Sequence, residues 1–476
     1  MAFLSGYLFM KKAIILFLTL FPLICSAQML GDGSVIVIDS LVFKGNKITH
    51  VNIMRREMEL KQGDSLNGIE LMARIEQSKL NLLNTSLFNF VTIDTVVALG
   101  KWEINIEITV VERWYTWVGI IAELGDRNFN TWWATRDFSR INIGARVSRN
   151  NFRGRMEQLR FAFQLGRAQK LSLYYEMPYI NRQKTTGLIF NIDYGQEHEV
   201  GYITENDKFL YLRSDEILRN EFALSAFVKI RRNITKSHQF GLEYNHFEFA
   251  DSLLILNPNY SFGTQEQVNF FSLVYEFKAD HRDIHYYPLN GWYFDILAKK
   301  SGLGIWSGET GNLWYLSPTF RYFKPLSSRF YMSAGLTGKV SSKAVQPYFY
   351  QRGLGYGRDF VRGYEYYVVD GKHYILLKTN LKFALFPTRT LQLNFIPSEK
   401  FNKIHYAVYL NIFADAAYVS GLRNTVDVHN LLPNTLLRGI GVGLDVVTYY
   451  DKVVRFEYAV NKWGESGIFI HFVAGI

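Results

Sequence analysis

One cysteine, ten prolines and no interior run of eighteen uncharged apolar residues set the first limits on this 476-residue chain. The single Cys25 excludes a disulfide framework. The lack of long apolar runs excludes helical membrane spans. Ten scattered histidines show no ligand spacing, so no metal site is expected. The basic residues behind the net charge of +10 are dispersed rather than gathered in a stripe, which argues against nucleic acid as a partner. What the chain has instead is aromatic side chains, 16% of all residues, in a composition that is 48% hydrophobic with a mean hydropathy of −0.05. Apolar residues spread evenly through alternating segments are the mark of a transmembrane β-barrel, with lipid outside and a polar interior.

The N-terminus reads as an export signal. Lys11 and Lys12 precede an apolar run from Ala13 to Cys25, and Cys25-Ser26-Ala27 supplies small residues for cleavage after Ala27. Met10 is an alternative start. A lipidated Cys25 is disfavoured by the bulky Ile24 before it. Cleavage removes the only thiol. The expected organisation is a signal peptide over 1–27, a small α+β domain over 28–115 and a barrel over 116–476.

Within the small domain, VIVIDSLVFKG reads as a strand closed by Gly45-Asn46, while 50–60 and 68–83 read as helices separated by Gly63-Asp64. FNFVTIDTVVA and WEINIEITVVE then form an antiparallel pair around Gly100. Beyond Trp117 the alternation continues to the last residue. In VRFEYAV, Val454, Phe456, Tyr458 and Val460 oppose Arg455 and Glu457, and LRFAFQL and ILLKTNLKF behave alike. Sixteen segments can be counted, from 117–125 to 466–476, with 185–198 followed by 216–233 and 374–387 by 405–419. If the first rises from the small domain, connections after even strands lie on the periplasmic side and those after odd strands face outward. The longest, about 342–373, is then the sixth outer loop, and it carries GYGRDFVRGY, Gly355 to Tyr364.

Asp415, in FADAAY, shares its face with Asn411, Tyr409 and Ala407, opposite Val408, Leu410 and Ile412, which places its carboxylate in the lumen. Gly439, Gly441 and Gly443 share a lumenal face opposite Ile440, Val442 and Leu444, leaving space for an inserted loop. An arginine on a long loop and a carboxylate inside the wall predict a loop folded into the lumen and pinned by a charge-assisted hydrogen bond.

These motifs resemble those of a known superfamily. FKGNKIT, LKQGDSLN and LNTSLFNFV resemble a POTRA domain, the periplasmic module of outer-membrane assembly and secretion proteins. VRGY, at Val361, Arg362, Gly363 and Tyr364, resembles the VRG(F/Y) motif of the BamA/TamA and two-partner-secretion barrels. In that family the arginine contacts the aspartate of an FxDxG-like motif, here Phe413 to Ala417, with Ala417 departing from the usual glycine. NNFRGR, YEMPYI and DHRDIHYYPLNGW match as well. The resemblance implies an α+β POTRA domain followed by a 16-stranded antiparallel transmembrane β-barrel in the outer membrane of a Gram-negative bacterium. It also implies a protein that inserts or exports others there. The implied partners are unfolded outer-membrane or secreted clients and outer-membrane lipids, with periplasmic chaperones or accessory lipoproteins as further candidates.

No cofactor or enzymatic activity is expected. GLGYGRD has no following lysine-serine pair for phosphate binding. Ser466 and His471 stand on opposite faces of the last strand, which argues against a lipase. The alternatives are a dedicated two-partner-secretion-type transporter and a passive porin. The glycines of the last strand, Gly467 and Gly475, are compatible with a seam that opens and equally with an ordinary strand end.

Overall fold

The computed structural model describes residues 35–97, 103–124, 133, 136–138, 141–305, 307–342, 346–398, 400–420, 429–448 and 450–472. The export signal, Cys25, the Gly100 turn, and Gly475 with Ile476 lie outside the described residues.

The α+β module comprises β1 (Ile36–Lys44), α1 (Val51–Arg56), β2 (Ser65–Leu66), α2 (Gly68–Asn84), β3 (Phe88–Val97) and β4 (Glu103–Glu112), with strands ordered β2-β1-β4-β3. Alternation on β4 buries Ile104, Ile106, Ile108 and Val110. Asn67 starts α2 by accepting the Glu70 N–H at 2.8 Å, as an N-cap does. The first helix is shorter than its pattern predicts. It ends at Arg56 because the Glu57 and Met58 N–H groups turn back to the Met54 and Arg55 carbonyls, and Met58 and Leu60 are buried from the segment beyond the helix. Glu57 then receives both ends of the Arg231 guanidinium, at 2.6 and 2.8 Å.

The remaining chain forms β5 (Thr116–Leu124), β6 (Ile141–Phe152), β7 (Glu157–Leu165), β8 (Ala168–Met177), β9 (Thr186–Glu197), β10 (Glu199–Glu205), β11 (Lys208–Arg213), β12 (Arg219–Ile230), β13 (Lys236–Phe249), α3 (Asp251–Leu256), β14 (Gln267–Asp280), β15 (Gly291–Ser301), β16 (Leu313–Pro325), β17 (Phe330–Ser341), β18 (His373–Gln392), β19 (Lys403–Ser420), β20 (Leu436–Thr448), β21 (Lys452–Asn461) and β22 (Ser466–Phe472). Sixteen of these, all but β10 and β11, make one antiparallel sheet in chain order from β5 to β22. No described helix is long and apolar enough to cross a membrane. The sheet's outward face can: Ile120, Ile412 and Ile468 are each more than 60% exposed, on strands whose other face is buried and polar.

Two features differ from the expected strands. Residues 199–213, expected as a plain connection, form the hairpin β10–β11, turned by Asn206 and Asp207 with φ of +51° and +60°. Asn-Asp tolerates that double left-handed turn, and the signal was in the sequence. Strand β18 outruns its expected end at 387 by absorbing Pro387 in irregular pairing between Ala384 and Arg389.

The described chain divides into two compact units. One holds 35–42, 59–78 and 93–108; the other holds 43–58, 79–92 and everything from 109 onward. Within the second unit, residues of 43–58 and 79–92 are bonded to the turns that follow even-numbered strands of the sheet. Arg56 donates to the Lys184 and Arg231 carbonyls, Asn84 donates to the Asp283 carbonyl at 2.9 Å, and the His50 N–H donates to the Gly154 carbonyl at 3.0 Å. Gly154, with φ of +71°, allows this approach, since a Cβ there would stand 2.2 Å from the Ile48 carbonyl oxygen.

Candidate functional site

Strand alternation carries Asp415 on β19, Asn380 on β18 and Glu457 on β21 to the buried face, and the 342–372 loop brings Arg362 into their midst. The Arg362 guanidinium grips Asp415 with two donors, Nε at 2.8 Å and Nη2 at 2.6 Å, and the Arg362 backbone N–H adds a third at 3.1 Å. Nη1 donates to Asn380 Oδ1 at 2.6 Å and Glu457 Oε1 at 3.2 Å, and Nη2 also reaches the Thr379 carbonyl. The guanidinium lies 3.8 Å from the centre of the Phe413 ring. Arg362 is 2% exposed and Asp415 4%, so this is a desolvated ion pair whose donors are bonded within the wall.

The neighbours of Arg362 fix the loop around it. Val361 is buried among Leu354, Val369, Leu376, Val419 and Leu437. Gly363 adopts φ of +91° and donates its N–H to Glu365 Oε2 at 2.8 Å. The Tyr364 hydroxyl donates to the Arg438 carbonyl and accepts the Lys462 N–H. The three β20 glycines do three different things, rather than jointly making room for the loop. Only Gly439 meets it: a Cβ there would stand 1.9 Å from the Arg362 carbonyl oxygen. At Gly441 a Cβ would meet the Tyr458 carbonyl and the Phe413 ring, and at Gly443 the Asn411 amide.

A second cluster lies on the same wall, and sequence reasoning did not assemble it. Asp445 on β20 accepts from Arg455 Nε at 2.8 Å, Asn411 Nδ2 at 2.9 Å and the Tyr287 hydroxyl at 2.8 Å. Tyr287 comes from the turn between β14 and β15, within DHRDIHYYPLNGW, and its ring lies 4.2 Å from Lys382 Nζ. Parity does place Asp445, Arg455 and Glu457 in the lumen. A tyrosine reaching them from a turn leaves no periodic trace.

Connections after odd-numbered strands interlock at the other end. Asp207, at the tip of the β10–β11 hairpin, accepts the Leu431 and Leu432 N–H groups, and its own N–H donates to Asn430. Phe247, Phe249, Tyr260, Phe270 and Phe349 form a buried aromatic cluster there with Leu218 and Leu253.

Residues 151–476 match the family model described as the Omp85 superfamily domain, more than half of the chain. The chain belongs to the Omp85 superfamily. Residues 36–113 match the POTRA model described as surface antigen variable number repeat. Among solved structures, this Omp85 chain is similar to CdiB from Escherichia coli, with a TM-score of 0.54 and 12% identity over 92% of this chain and 76% of that one. It is also similar to BamA from Haemophilus ducreyi lacking POTRA domains 1–3, with a TM-score of 0.49 and 16% identity over 92% and 83%. No curated protein matches the chain at a significant level. As an Omp85 protein it is a non-enzymatic outer-membrane transport or assembly factor, a barrel with a periplasmic POTRA domain that handles client polypeptides.

Proposed function

We propose that this Omp85 protein inserts client proteins into the outer membrane, receiving them unfolded at the POTRA sheet and lending them an edge of the barrel. The observation that carries this reading is the grip on Arg362. The lumenal loop is held to β18, β19 and β21 by buried, charge-assisted bonds, and Tyr287 reaches the same wall from the opposite end. A chain threading the lumen would pass both. A lateral route leaves them intact.

In this reading Val361, Arg362, Gly363 and Tyr364 form the inserted arm of a loop lock, and Asp415 and Gly439 its seat. Gly441 and Gly443 seat Phe413 and Asn411 behind it. As the edge strand of the POTRA sheet, β3 is where an extended client would add a strand, by backbone pairing that does not read its sequence. In the barrel sheet the terminal strands of the order, β5 and β22, are the edges a client strand would join if they part. Energy would come from client folding and lipid burial. Lipids, periplasmic chaperones and accessory lipoproteins are the remaining proposed partners.

The second reading, a dedicated transporter, draws on the fold shared with CdiB. Quantitative outer-membrane proteomics after depletion separates the two. Broad loss of barrel proteins supports insertion, loss of one secreted or surface protein supports the dedicated transporter, and an unchanged proteome returns the protein to a passive porin.

A further inference from the structure

Beyond the arginine, Glu457 has a second oxygen, and it faces a different set of groups. While Oε1 accepts from Arg362, Oε2 accepts no hydrogen bond although Glu457 is 1% exposed. It points at His471 Nε2 on β22, 3.4 Å away, and Glu365 Oε1 from the VRGY loop lies 3.4 Å from the same nitrogen. All three ligand atoms lie within 4.8 Å of one another. Two buried carboxylates this close repel unless a proton or a cation is shared between them.

We propose that Glu365, Glu457 and His471 bind a divalent transition-metal cation of the zinc class, tying the lumenal loop to the last two described strands.

The distances favour a metal over an imidazolium wedged between two carboxylates. Charge-assisted N–H···O bonds close to about 2.7–2.9 Å. A zinc ion with bonds of about 2.0–2.2 Å to nitrogen and oxygen sits in a tetrahedron whose ligand–ligand edges are about 3.3–3.6 Å. Both separations from Nε2 fall on that edge length. The donor set, one imidazole and two carboxylates, suits zinc and leaves a fourth position for water. Each carboxylate is also oriented through its other oxygen, Glu365 by the Gly363 N–H and Glu457 by Arg362, as outer-shell bonds orient ligands in metal sites. The Phe360 ring, 5.4 Å from the imidazole, stands beside the site.

Nothing in the sequence pattern could show this. The ligands come from a loop and two strands, and only the register that sets Arg455 opposite His471 brings β22 alongside Glu457. The inference is independent of whether clients are inserted or exported, since its test reads metal and not transport.

The full-length protein, purified in detergent and stripped with a chelator, would be titrated with Zn²⁺ and, separately, with Co²⁺. One equivalent of Zn²⁺ retained after desalting, together with the intense visible absorption of tetrahedral Co²⁺, is the expected result. His471→Ala and Glu365→Gln should each weaken binding at least about tenfold. Heat-modifiable migration on gels would confirm that each variant remains folded, and Glu365→Gln, in a loop, tests the site even if the strand variant fails to fold. Wild-type protein that retains no more Zn²⁺ than Glu365→Gln overturns the proposal and leaves a protonated His471 between the carboxylates.

Discussion

The Tyr287 hydroxyl donates to Asp445 at 2.8 Å, so the turn between β14 and β15 bonds the same wall that holds Arg362. Arg455 links the two clusters, bonded to Asp445 at 2.8 Å and standing 3.8 Å from Glu457 Oε1, the oxygen that accepts from Arg362. Asn84, at the end of α2, holds that turn by bonds to the Asp283 carbonyl and from the His285 N–H. Polar contacts thus run from Tyr287 through Asp445, Arg455 and Glu457 to Arg362, and Asn84 holds the backbone of the turn that carries Tyr287.

Reversing the charge at Arg362 should release the loop. Arg362→Glu places a third carboxylate beside Asp415 and Glu457, and losing one partner of a buried pair costs about 3–5 kcal/mol. Labelling of a cysteine introduced at Gly357 should rise sharply, and function should fall. Adding Asp415→Arg should restore part of both. Full activity in Arg362→Glu alone would remove the loop lock.

Tyr287→Phe deletes one hydrogen bond to a carboxylate that keeps Arg455 and Asn411. The expected cost is about 1–3 kcal/mol, read as a lower unfolding midpoint. Asp445→Ala should cost more, because it leaves the buried Arg455 without its closest acceptor. Equal midpoints for the two variants would argue against that ordering.

The β20 glycines should differ sharply. Gly439→Ala drives a methyl into the Arg362 backbone carbonyl and should make the loop susceptible to limited proteolysis. Gly443→Ala first meets the Asn411 side-chain amide, the end of a side chain and not loop backbone, and should leave the loop nearly as protected as in the wild type.

The loop should also respond to pH through Asp370. Burial pushes its carboxyl up to about 7, with Asp207 adding to the rise. A carboxyl raised in the docked state and ordinary when released favours docking while both are protonated. That advantage is lost as pH rises from the ordinary carboxylate range toward 7, and is flat beyond it. Proteolysis of the loop should therefore be slower at pH 5 than at pH 7.5, and Asp370→Asn should flatten the difference.

The sixteen barrel strands were legible because each has lipid on one side and a polar interior on the other, and a period of two records that contrast directly. The same parity put Asp415 in the lumen, and it extends to Glu457, Asp445 and Arg455. It could not separate the tasks of Gly439, Gly441 and Gly443, since a missing side chain says that something approaches closely but not what. The end of α1 was misjudged because Met58 and Leu60 fit a helical stripe while being buried from outside the helix.

By itself, then, the sequence determined the two-part architecture, the strand order, the inward and outward faces, and an arginine loop opposite a lumenal aspartate. These depend on local alternation and on solvent contrast. Tertiary structure alone decided that Asn380 and Glu457 share Arg362, that Tyr287 reaches Asp445 from the opposite end, and that His471 faces Glu365 and Glu457. Such meetings join segments far apart in the chain through strand register and loop insertion, and neither leaves a periodic signal to read.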